Sequence, residues 1–217
     1  MHLHRFAGLM TDANRRPSFG RDSVWLASAD VVAVLLAFIG QLILARALMS
    51  ESYGLFVIAV DLFATLFLLL DLGLPTLLAR DGPRNPSAIW PGMLRIYRLQ
   101  GIVVILFAPI VVSLVLSQSV HDGLMLLGAG VALVHIASYA PRAALRAAGD
   151  ARFESITKVI ERLMTTVGYA SLYFIHSSDV VAYAAVFLGG AIVGFILALV
   201  GADWPCAKSS GKALSSQ

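Results

Sequence analysis

The sequence predicts an all-α polytopic membrane protein of six transmembrane helices, with both termini in the cytoplasm. Three observations carry that expectation. Hydrophobic residues make up 59% of the 217 and charged residues only 13%, against roughly 25% charged in soluble domains. Mean hydropathy is +0.83. Fifteen of the sixteen lysines and arginines fall on one side of alternating apolar runs, leaving only Arg46 on the other. The apolar content excludes disorder, and the single Cys206 excludes a disulfide scaffold. A pI near 9.2 raises nucleic-acid binding. The basic residues are spread through the gaps instead of forming one aromatic-laced patch, so no nucleic-acid partner is expected.

A bilayer core about 30 Å thick needs about 20 mostly apolar residues per helix. The first such run, Val24–Ala45, follows a polar amino tail over residues 1–22. It is longer than a signal peptide's apolar core of about 7–15 residues, so it is expected to stay in the chain. Ser50–Ser52 separates it from a second run, Tyr53–Leu72. The gap after it is broken by Asp81-Gly82-Pro83 and carries Arg80, Arg84, Arg95 and Arg98 ahead of the third run, Leu99–Ser117. The fourth is Gly123–Tyr139; the gap that follows carries Arg142, Arg146 and Arg152, and Gly149-Asp150 marks its turn. In the fifth, Ile156–Ile175, only Leu163–Ile175 is free of charge, which places Lys158, Glu161 and Arg162 near its cytoplasmic end. After Ser177–Asp179 the sixth, Val180–Ala202, leads to a polar cytoplasmic tail over 204–217. The transmembrane unit is therefore 23–203. Pro75, Pro109 and Pro141 are expected to end or kink spans, and Gly190-x-x-x-Gly194 fits close helix packing.

The outer loops are too short to fold a catalytic domain, so any chemistry must lie between helices. His121-Asp122 and His176 with Asp179 lack further ligands nearby, and no metal site follows. Asp61 and Asp71 share one helix, and Ser171 is one place late for an intramembrane serine protease motif. No catalytic residue, cofactor or enzymatic activity is expected.

Polar residues inside spans are the remaining signal, since a carboxylate at a helix centre costs about 2.5–3.5 kcal/mol on insertion scales. Asp30 and Gln41 are eleven residues apart in the first span and return to within about 20° of one face. Asp61, Thr65 and Asp71 lie on the second. These groups either line a water-filled lumen, with Asp61 titrating protons, or are packing pairs and helix-end carboxylates at the interface. Glu154, Lys158, Glu161 and Thr165 form one stripe on the fifth span. The stripe is either a solvated inner end with local ion pairs or the cytoplasmic mouth of the same cavity.

Two stretches resemble a known family. Leu44-Ala45-Arg46-Ala47-Leu48-Met49-Ser50-Glu51-Ser52-Tyr53-Gly54-Leu55-Phe56, continuing to Asp71-Leu72-Gly73-Leu74, resembles the opening of Wzx-type polysaccharide flippases of the MOP exporter superfamily. Leu145-Arg146-Ala147-Ala148-Gly149-Asp150-Ala151-Arg152-Phe153-Glu154-Ser155, running into Lys158 and Glu161, looks like that family's join between spans four and five. Such flippases resemble two six-helix lobes facing each other, and this chain is similar to the amino-terminal lobe alone. The resemblance implies a bacterial inner-membrane carrier for an oligosaccharide on an undecaprenyl pyrophosphate anchor, driven by an H⁺ or Na⁺ gradient. It implies that cations hold the pyrophosphate, the best placed being Arg46, Lys158 and Arg162, with Asp30, Gln41, Asp61, Thr65 and Glu161 lining the cavity. The missing lobe leaves three readings open. They are a truncated flippase, a half-transporter that pairs with itself or a second lobe, and a nontransporting scaffold or assembly factor of a polysaccharide locus.

Overall fold

The structure, a computed structural model, describes residues 19–70, 73–116 and 122–214, and every regular element among them is helical. The helices are α1 (Phe19–Ala47), α2 (Ser50–Leu70), α3 (Leu74–Asp81), α4 (Ile89–Leu116), α5 (Asp122–Ala147), α6 (Ala151–Phe174) and α7 (Val180–Leu214). Four of them are long and apolar enough to cross a membrane, over Val24–Ala47, Pro86–Pro109, Gly123–Ala147 and Val180–Ala202.

Within the described residues the expected runs lie on helices, with longer bounds in places. α4 starts ten residues before Leu99, and the short α3 occupies part of what was expected to be an irregular gap. Gly73, at φ 67°, and Pro75 in its first turn start α3. α5 runs through Pro141 to Ala147 instead of stopping at Tyr139. Proline has no N–H to offer the carbonyl four residues back, which here is Ala137. The Tyr97 hydroxyl of α4 donates to that carbonyl at 3.0 Å. The freed acceptor is thus satisfied by a neighbouring helix, and the alanine-rich Arg142–Ala147 segment stays helical. α7 continues to Leu214, so the first part of the expected polar tail is helical.

The turn residues act where the sequence places them. Gly149, at φ 81°, ends α5, with its N–H bonded to the Arg146 carbonyl and the Asp150 N–H to that of Leu145. The Asp150 carboxylate then accepts from the Phe153 N–H at 3.2 Å and starts α6. The same pattern closes α6, where His176 takes the left-handed position at φ 56°. Asp179 caps α7 through the Val181 N–H.

Contacts define the directions of the helices. From Trp25–Arg152 through Asp30–Lys158 and Leu36–Thr166 to Gly40–Tyr169, numbers rise together, so α1 and α6 run parallel in register. Between α6 and α7 they rise and fall, from Phe153–Gly201 through Glu161–Gly194 to Thr165–Gly190, so these two are antiparallel. A Cβ at Gly194 would stand 2.9 Å from that of Glu161, so the expected Gly190-x-x-x-Gly194 contact is made, and its partner is the polar stripe of α6. α5 packs against both α7 and α2, with Gly128 directly on the Ala59 carbonyl.

Two apolar clusters result. One gathers Leu44, Phe56, Phe63, Leu124, Tyr169 and Tyr183 among others. The second joins Ile89, Met93, Ile96, Ala144, Leu145 and Ala198. Along α5 they meet between Ile136 and Ala140, and there the polar side chains sit. The outer faces are apolar, with Val34, Phe38, Ile105 and Leu106 more than half exposed.

Candidate functional site

α6 turns its two carboxylates inward. Glu154, Glu161 and Thr165 are buried, while Ile156, Met164, Val167 and Phe174 on the same helix are exposed. This is the reverse of a surface helix of a soluble protein, and it suits a helix whose outer face meets lipid. The stripe is therefore no solvated end: α5, α7 and α1 cover it. Glu161 is the hub. Its Oε1 lies 3.0 Å from His135 Nε2, and its Oε2 is bonded by Arg142 Nη2. Thr165 donates back to the Glu161 carbonyl at 3.0 Å, leaving its own side chain against Gly190. Two helical turns toward the start of α6, Glu154 sits between Arg146 at 2.8 Å and Lys158 at 3.4 Å, within ion-pair range but out of line for a hydrogen bond.

Lys158 also reaches α1, donating to Asp30 at 3.0 Å. Further along the same interface a cleft of about 30 Å³ opens between α1, α6 and α7. It is lined by Gly40, Gln41, Arg162, Thr165, Tyr169 and Phe187 among others. That is room for about one or two waters. Arg162, eleven residues from the start of α6 and twelve from its end, lies with its guanidinium 5.7 Å from the Phe187 ring centroid. It has no carboxylate partner among the described residues, unlike Arg142, Arg146 and Lys158. A guanidinium in this setting has its donors available to an anion.

The family model of polysaccharide biosynthesis proteins matches residues 19–210, which is most of the chain. The chain belongs to the polysaccharide biosynthesis protein family. This is the family of the Wzx-type flippases that the Leu44–Phe56 and Leu145–Ser155 motifs resemble. Comparison with curated proteins and with solved structures found no match.

Within this family member, the residues singled out in the sequence separate into three groups. Gln41 and Arg162 meet in the cleft, and Gln41 also accepts a hydrogen bond from the Tyr53 hydroxyl at 3.0 Å. Asp30, Lys158 and Glu161 belong to the ion-pair layers, Asp30 as Lys158's partner and Glu161 as the buried hub. The same-face relation of Asp30 and Gln41 holds, since both look onto α6. Arg46, Asp61 and Thr65 are exposed and join neither the cleft nor these layers. Among the described residues, the polar groups of α1 and those of α2 do not come together. Asp71 lies outside the described residues. The sequence reading missed His135 entirely and took Arg142 for a loop charge. A signal was present: His135 interrupts a long apolar run, and Arg142, seven residues on, returns to its face within about 20°.

Proposed function

We propose that this chain is the carrier lobe of a flippase that moves a lipid-linked oligosaccharide across the bacterial inner membrane for polysaccharide biosynthesis. In this reading six helices span, α1, α2, α4, α5, α6 and α7, with both termini cytoplasmic. Support for α6 as a span is its buried carboxylates and the exposed apolar residues on its outer face. The parallel pairing of α1 with α6 and the antiparallel pairing of α6 with α7 fit an alternating path. A second lobe, or a second copy, completes the substrate cavity, and an H⁺ or Na⁺ gradient supplies the work. The chain performs no covalent chemistry.

One observation carries the reading. Arg162 is a half-buried cation at mid-helix, held on Phe187 and without a carboxylate partner among the described residues. The anchor of a lipid-linked oligosaccharide presents a pyrophosphate, whose oxygens accept from a guanidinium fork. The cleft is too small to enclose sugars, so the glycan lies outside it, toward the second lobe. Lys158 is neutralised by Asp30 and Glu154, which makes Arg162 the better phosphate ligand of the two.

The test is binding of an undecaprenyl-pyrophosphate oligosaccharide to the full chain in nanodiscs, followed by its translocation in proteoliposomes. Arg162→Ala is expected to weaken binding at least about tenfold, equivalent to about 1.4 kcal/mol, with partial retention in Arg162→Lys. Equal binding by wild type and Arg162→Ala overturns the site. Binding without translocation identifies a half-carrier awaiting its partner, whereas no binding by the wild type leaves the scaffold reading.

A further inference from the structure

The Arg162 cleft and the buried Glu161 hub are joined by one side chain. Phe187 of α7 carries the Arg162 guanidinium 5.7 Å from its ring centroid, and the His135 ring packs against it edge-on with centroids 5.7 Å apart. Phe187 is itself buried, and it lines the cleft. His135 is at the same time bonded to Glu161, whose other oxygen holds Arg142. The cleft cation and the imidazole therefore share one aromatic ring.

We propose that His135 is the proton site that sets the anion affinity of the Arg162 cleft, so that anion binding there is linked to proton uptake. The inference rests on the proposed anion site and adds its regulation. In the neutral ring Nε2–H donates to the Glu161 carboxylate, so an incoming proton is taken by Nδ1, with no bond between heavy atoms made or broken. The new positive charge lies against the ring that holds Arg162. It competes for the negative face of Phe187 and raises the local potential, and both effects favour an anion at Arg162. By linkage the bound anion favours the proton in turn.

The other groups on the elements around His135 do not supply this response. Arg142 and Glu161 pair with each other, and Arg162 stays charged throughout. Tyr97 of α4 donates its hydroxyl to Ala137, and Tyr183 of α7 donates to Ser177. Arg80 and Asp81 of α3 close on each other, and Asp61 of α2 is exposed.

The experiment uses the full chain in a neutral detergent, with inorganic sulfate as the probe. Sulfate remains a dianion between about pH 5.5 and 7.5, the interval in which imidazoles generally change charge. Affinity is read from the dependence of Tm on sulfate concentration at constant ionic strength. Arg162→Ala gives the nonspecific salt response. Wild type is expected to bind about fivefold or more tightly at the lower pH. His135→Asn, or His135→Gln where the first variant folds poorly, is expected to bind equally at both. A wild-type response that Arg162→Ala removes but pH leaves unchanged overturns the proton link and keeps the anion site. A response that Arg162→Ala leaves intact overturns the anion site and the link with it.

Discussion

Among the carboxylate–cation contacts that hold α6 in the bundle, two differ sharply in what surrounds them. At the α5–α6–α7 junction the Glu161 and Arg142 side chains are 4% and 9% exposed. At the α1–α6 seam the Asp30 and Lys158 side chains are 57% and 25% exposed. The chemistry is the same and the setting is opposite. Removing one partner of a buried pair strands an unsolvated charge, whereas an accessible pair lets water or headgroups replace what is lost. The inner junction therefore fixes the packing of three helices. The outer seam leaves α1 attached by separate polar contacts and mostly apolar toward its surroundings.

The largest effect is expected at the inner junction. Glu161→Ala leaves Arg142 buried beside His135, at a cost of about 3–5 kcal/mol. Unfolding of the chain in mild detergent by heat or by graded denaturing detergent measures it. The double variant Glu161→Met with Arg142→Met removes both charges at similar volume and should recover most of the loss. A single substitution as mild as one at Asp30 breaks the distinction between the two regions.

Next comes the helix crossing that keeps the hub dry. Gly194→Ala puts a methyl 2.9 Å from the Glu161 Cβ and 2.5 Å from Oε2, so the carboxylate must move away from Arg142 or α7 must shift. Overpacking of this kind costs about 1–3 kcal/mol. In the Glu161→Met and Arg142→Met background the carboxylate is gone but the crowding at Cβ remains. A smaller cost there assigns part of the penalty to the displaced ion pair, and an equal cost assigns it to helix spacing alone.

Much of this architecture is legible in the sequence because it is local. Gly149 and Asp150 end one helix and cap the next through bonds spanning a few residues. Gly190 and Gly194 mark a close crossing, and the apolar runs mark the helices. What is not legible depends on distant partners. The continuation of α5 past Pro141 needs the Tyr97 hydroxyl, 40 residues away from the carbonyl it serves. Arg142 reads as a loop charge until α5 is known to pass Tyr139, and only then does it face inward with His135. Asp61 and Asp30 have similar patterns along their helices. Only α6, more than a hundred residues later, separates them by giving Asp30 a partner in Lys158.

The smallest effect is expected at the α1–α6 seam. Asp30→Asn keeps the shape of the side chain and removes its charge, while Lys158 retains Glu154 at 3.4 Å. The remaining contacts between α1 and α6 stand: Thr166 donating to the Leu36 carbonyl at 3.0 Å, Tyr169 against Gly40, and Arg152 over Trp25. Stability in the same detergent assay should fall by at most about 1 kcal/mol. The seam should still respond in another way. With one of its contacts weakened, α1 is expected to open more readily, so hydrogen exchange of its amides should speed up while that of α5 and α7 stays unchanged. Faster exchange throughout the bundle would mean that the seam and the junction unfold as one unit, and the contrast in burial would then carry no contrast in stability.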